Sequence, residues 1–232
     1  MIIIEDEEIV GWESAIIGMR NPMNSWDKSD SWYGCGSEFD DHLEPEDCDM
    51  DNCRSCHFCV GNNDLDLMKR LAKAGTDHRK FMRMIVVYAD VTAPLYWWKE
   101  FDTYKVGTVR NSCSTMHKIT EKEFTLDDFS HEHLLTSDIS EKGTPLGLIK
   151  TIIDVLNIYR TEYLSSKDKS DWWQLIQLLP SSYNQRATVM LNYEVLANIY
   201  HSRKNHKLDE WIYFCNWIET LPHSELITGE TK

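Results

Sequence analysis

The run from Met84 to Thr92, MIVVYADVT, passes through Ala93-Pro94 directly into LYWWKEF, and this junction limits the fold more than any other feature of the chain. Its β-branched and apolar residues read as a buried strand. Pro94 then opens a helix carrying Leu95, Trp97, Trp98 and Phe101, because proline suits a first turn whose N–H groups have no helical partner. A buried strand must pair its backbone groups with other strands. Ile2 to Ile4 is the other strand signal, and further partners must come from the weakly patterned middle of the chain. The expected class is α+β: a small sheet packed with helices, ending in a helical C-terminal third.

Helical spacing runs from Glu5 to Arg20, with Ile9, Trp12, Ile16 and Met19 on one side. Asn63 or Asp64 can cap a helix bearing Leu65, Leu67, Met68 and Leu71, which Gly75 can end. A polar segment follows the aromatic helix to about Gly143. Beyond it the pattern predicts helices over Pro145 to Leu164, Asp168 to Leu179, Tyr183 to His201, and Asp209 to Leu221. There is no internal repeat. A length of 232 residues suits one domain over 1–232. The Asp-, Ser-, Gly- and Cys-rich stretch reads as a long loop or a Cys-rich insertion at about 30–61.

A net charge of −14 argues against a nucleic-acid polymer as partner, since affinity for phosphate backbones comes mainly from Lys and Arg releasing counterions. A small nucleotide stays open, because one local basic pocket can hold a phosphate whatever the net charge. No stretch approaches the roughly 20 apolar residues of a membrane span. Met1 to Glu8 lacks the basic flank and length of a secretory signal, so a cytoplasmic location is expected. Nine Trp and ten Tyr demand a core, and a subunit interface, rich in large flat side chains.

Seven Cys, an odd number, then suggest reduced thiols or a metal site before a disulfide framework. Cys48, Cys53, Cys56 and Cys59, with Cys35, His42 and His57 nearby, can converge on one structural zinc ion. Free thiols and an iron–sulfur cluster are the alternatives. Between Lys105 and Thr115 the chain offers Lys105, Arg110, Ser112 and Ser114, a set able to hold one phosphate. The same stretch also reads as a solvated loop with local turn hydrogen bonds. Cys113 has no assigned base and reads as an inert thiol.

The segment APLYWWKEFDTYKVGTVRNSCSTMHK, with SSYNQRATVMLNYEVLANIYHSR further on, resembles the flavin-dependent thymidylate synthases. In that family two Asn on a helix face the flavin, and a following Arg holds and activates deoxyuridylate. Asn192, Asn198 and Arg203 match those intervals, after a matching Leu179-Pro180, and Arg20 followed by Ser25 echoes an Arg-x-Ser near the flavin. Asn192 and Arg203 are eleven residues apart and would share one face of a continuous helix. The family's Arg-His-Arg triplet falls here on Thr103, Tyr104 and Lys105. Its Ser-x-Arg-Tyr falls on Ser114, Thr115, Met116 and His117, and a later Arg falls on Ile176.

The resemblance implies FAD as cofactor, held by Ser25, Lys105, Asn192 and Asn198. It implies deoxyuridine monophosphate as substrate, held by Lys105, Arg110, Ser112, Ser114 and Arg203, with Arg203 also the catalytic group. It further implies a homo-oligomer, a tetramer, and one-carbon transfer to the pyrimidine from a folate donor. A protein that keeps the fold and a nucleotide pocket without the reaction is the competing reading, on the losses at Thr103, Tyr104, Met116 and Ile176.

Overall fold

The computed structural model of the protein describes residues 2–35, 56–137 and 143–229. In chain order the elements are β1 (Ile3–Val10), α1 (Trp12–Arg20), β2 (Trp32–Cys35), β3 (Cys56–Cys59), α2 (Asn62–Lys73) and β4 (Val86–Pro94). They continue with α3 (Leu95–Phe101), β5 (Thr108–Ser112), α4 (Thr115–Lys118), α5 (Pro145–Ser166) and α6 (Lys169–Leu178). The chain then runs through β6 (Asn184–Asn192), α7 (Tyr193–Arg203), α8 (Asp209–Thr220) and α9 (Glu225–Thr228). One sheet has the order β1-β4-β6-β5, and β2 pairs antiparallel with β3 in a second. Among the described residues no helix is long and apolar enough to cross a membrane.

The junction at Pro94 forms as expected: β4 alternates buried Val87, Ala89, Val91 and Ala93, and Pro94 caps α3. Two sequence expectations need correction. Glu5 to Ile9 is strand, not helix. Gly11 stops it at φ 95, and a Cβ there would lie 2.0 Å from the Met84 carbonyl oxygen, so α1 begins only at Trp12. Tyr183 to Asn192 is also strand rather than helix. β6 lies between β4 and β5, and Gln185, Ala187, Val189 and Leu191 are buried at every second position.

The chain divides into two compact units, Met1–Glu7 with Tyr88–Met190 and His206–Phe214, and Glu8–Val87 with Leu191–Asn205 and Cys215–Lys232. The first unit holds an aromatic core. Trp97 sits at its centre with ring centroids 4.8 Å from Trp211, 4.9 Å from Trp98 and 5.1 Å from Phe101. A second cluster joins Phe124 and Phe129 to Ile149, Ile153 and Leu156 of α5 and Leu175 of α6. In the second unit α2, α7 and α9 pack around the 3-10 turn Arg79–Arg83, burying Met68, Phe81, Met82, Leu196 and Ile227.

Candidate functional site

In the second unit a buried ion pair fixes the chain around Ser25. Arg20 and Asp64, 5% and 0% exposed, meet at 2.6 Å. Arg20 also donates to the carbonyls of Ser25 at 3.1 Å and Lys28 at 3.0 Å. The other Asp64 oxygen accepts from the hydroxyls of Ser29 and Ser31, each at 2.6 Å. Burial alone would push the Asp64 carboxyl up, but hydrogen bonds from Ser29, Ser31 and Arg20 outweigh it and hold its pKa below the usual carboxylate range. Asp64 is therefore not the expected cap of α2. That role falls to Asp30, whose carboxylate accepts from the backbone N–H of Asn63 at 2.9 Å and Asp64 at 3.1 Å.

Asn192 caps α7 rather than lying on its face. Its Oδ1 accepts from the Val195 N–H at 3.0 Å, which leaves the amide NH2 to donate elsewhere. Because the helix starts at Tyr193, Asn192 and Arg203 stand at opposite ends of it, about 16 Å apart along the axis. Between them Glu194 takes hydrogen bonds from Arg83 and, at 3.3 Å, from Arg79. The Arg83 contact, helped by Arg79, holds the Glu194 carboxyl below its ordinary pKa against the effect of burial. Arg79 reaches on to Asn198 Oδ1 at 3.5 Å. Arg203 lies at the C-terminal end of α7 and, with Lys204, draws the Cys215 thiol down, while burial and Glu219 push it up to about 11. That thiol stays protonated at neutral pH.

In the first unit Lys105 is exposed between α3 and β5, Arg110 and Ser112 lie on β5, and Ser114 caps α4 by accepting from the His117 N–H at 3.2 Å. Arg110 is already engaged. It bonds Asp102 at 2.9 and 3.0 Å and Gln185 at 2.5 Å, and its guanidinium lies 3.9 Å above the centre of the Trp98 ring. A phosphate would reach it by displacing Asp102, which is about half exposed. Gln185 also donates to the Cys113 carbonyl at 2.7 Å and so anchors the loop entering α4.

Thr103, Tyr104 and Ile176 have structural partners, whereas Met116 is half exposed. Thr103 donates its hydroxyl to the Glu100 carbonyl at 2.7 Å, and Tyr104 packs edge-on to Trp211 at 6.0 Å. Ile176 packs against the α5–α6 cluster.

Of the expected metal ligands, Cys48 and Cys53 lie outside the described residues. Cys56 and Cys59 stand at the two ends of the extended strand β3, which sets their Cα atoms about 10 Å apart. Among the described residues no group of three or more His, Cys, Asp or Glu side chains gathers around a common point.

The Glu194 network escaped the sequence reading, although a signal was available: Lys69, Arg70, Lys73, Arg79, Lys80 and Arg83 are six of the 24 Lys and Arg, within fifteen residues.

No family model and no curated protein matches the sequence. Solved structures do. Thymidylate synthase X (ThyX) from Helicobacter pylori with FAD and dUMP superposes with a TM-score of 0.62 at 13% identity, over 98% of this chain and 97% of that one. A second flavin-dependent ThyX structure from the same organism, complexed with FAD and dUMP, gives 0.61 at 16% identity over 100% and 99%. The UMP/dUMP methylase PolB from Streptomyces cacaoi, bound with 5-Br dUMP, gives 0.56 at 12% identity over 99% and 95%. Along nearly its whole length, therefore, the chain has the α+β fold of the ThyX structures.

Proposed function

We propose that the protein binds a deoxyuridine nucleotide and transfers a one-carbon unit to its pyrimidine ring with FAD and a folate donor. The observation that carries this reading is α7 and its cap: Asn192 at the N-cap, with Asn198 and Arg203 on the helix, keeps the spacing that the resemblance implies for flavin and nucleotide, on a fold whose solved neighbours hold FAD and dUMP. The donor set fits a flavin. Asn192 and Asn198 accept through Oδ1 within the protein, and each retains an amide NH2 to donate to a ring carbonyl. Ser25, its backbone fixed by Arg20, and Lys105 are the remaining flavin contacts. Bound reduced flavin would supply the relay of the one-carbon unit.

For the nucleotide, Lys105, Ser112 and Ser114 supply a cation and two hydroxyls for phosphate, and Arg110 joins them on exchanging Asp102. Arg203 is the proposed catalytic residue. It places a permanent positive charge to stabilise negative charge developing on the base. With Thr103, Met116 and Ile176 in place of basic residues, few other cations are left for this task.

A binding module without the reaction is the second reading. It is favoured by the structural work of Thr103, Tyr104 and Ile176, each of which has a packing or hydrogen-bonding partner where the family has a charge. Two measurements separate the readings. Purified protein with a flavin absorbance band and dUMP affinity supports the enzyme; dUMP affinity without flavin supports the module. In either case Arg203→Ala should weaken dUMP binding by about 2–5 kcal/mol while leaving the fold intact. Wild-type protein that does not bind dUMP would remove both.

Two assembly proposals accompany this function and share one measurement. The chain forms a homotetramer, and a structural zinc ion is held through Cys48, Cys53, Cys56 and Cys59. Native mass spectrometry of protein purified without chelator should show four chains, with about one zinc per chain. A monomer, or a metal-free mass, rejects the corresponding proposal.

A further inference from the structure

A cleft of about 190 Å³ opens in the second unit between α2, α7 and α9, and its walls carry Lys69, Lys73, Arg79 and His201. In a chain of net charge −14 this is a local reversal of sign. Counting the lining groups with His201 neutral gives three positive charges against one negative, Glu225, which holds Lys69 at 3.3 Å. Arg79 is tied behind the cleft to Glu194 and Asn198. Among the described residues Lys73 has no carboxylate partner.

The floor is apolar. Ala197, Leu226 and Ile227 are buried there, and the small side chain of Ala197 leaves room above it. Charges over such a floor act through a medium of lower dielectric than water, which focuses their field on whatever enters. The cleft admits a small ion or the phosphorylated end of a larger molecule.

We propose that this cleft is a binding site for a small polyanion of the phosphate class. Lys73 and His201 are the direct donors, Arg79 is a fixed positive wall, and Lys69 is released from Glu225 when the anion enters. The cleft is lined by residues of α2, the 79–83 turn, α7 and the α9 segment, and it adjoins the proposed flavin contact Asn198 through Arg79.

Isothermal titration with inorganic pyrophosphate and, separately, with glycerol 3-phosphate tests it, in phosphate-free buffer at fixed ionic strength. Saturable binding is expected at one anion per chain in this cleft, and it should weaken as salt rises. Lys73→Glu should weaken it by about tenfold or more, and Glu225→Gln should strengthen it, because that change removes the repelling carboxylate and frees Lys69. Equal affinity for the two probes would mean that phosphate alone is read; tighter binding of the ester would mean that the apolar floor holds its organic part. The proposal is overturned if neither probe binds, or if binding is the same in wild type, Lys73→Glu and Glu225→Gln. Circular dichroism and Tm of both variants verify that the fold is kept.

Discussion

Asp64→Ala should lower stability by about 3–5 kcal/mol, the usual result of removing one partner of a buried ion pair. For a chain of this size that is a fall in Tm of roughly 10 °C. The cost has two sources. Arg20, 5% exposed, would keep its charge with no carboxylate to meet it, and the hydroxyls of Ser29 and Ser31 would lose their acceptor. Replacing both partners, Arg20→Met with Asp64→Leu, should recover a large part of the loss because no unpaired charge remains. Urea denaturation of wild type and the two variants measures this. A double variant as unstable as Asp64→Ala would show that the serine contacts, not the ion pair, dominate.

The same residue carries a pH dependence of defined sign. Its folded pKa lies below the unfolded value, so its contribution is full above the unfolded carboxylate range and is lost as pH falls through the folded value. Wild type should therefore lose stability below about pH 4 more steeply than Asp64→Ala.

Trp97→Ala should cost about 3–5 kcal/mol, because a fully buried indole in contact with Trp98, Phe101, Trp211 and Phe214 leaves a cavity that its rigid neighbours fill poorly. Trp97→Phe should cost much less. The Trp97 Nε1 is buried without a hydrogen-bond partner among the described residues, so deleting that N–H removes a desolvated donor that costs about 1–3 kcal/mol. Equal losses in the two variants, again by urea denaturation, would show that ring volume alone sets the stability of this core.

Elements with one local signal were legible in the sequence. Pro94 and the aromatic face gave α3, and Thr144 followed by Pro145 begins α5 as the pattern requires, with the threonine hydroxyl accepting from the Gly147 N–H. Asp168 likewise caps α6. Elements whose conformation is decided by partners were not. β6 contains Gln, Arg, Ala, Met and Leu, all good helix formers, and it is a strand because β4 and β5 flank it. Its period-2 series Ala187, Val189, Leu191 was the available clue. β1 is an edge strand, and its acidic run suits an edge that must not pair further, which is why it carries so little apolar alternation.

The candidate site divides in the same way. The spacing of Asn192, Asn198 and Arg203 was legible as a pattern, but the cap at Asn192, the Glu194 ion pairs and the Asp102 clamp on Arg110 were not. Arg83 and Glu194 are 111 residues apart in sequence, and no local pattern reports a contact at that range.

The β2–β3 hairpin has a consequence for how this chain tolerates change. Its register pairs Trp32 with Cys59 and Cys35 with Cys56, so the two strands stay in step over all four residues of each. A one-residue insertion or deletion within either strand would shift this register and turn every following side chain to the other face, so the pair tolerates substitution better than a change of length.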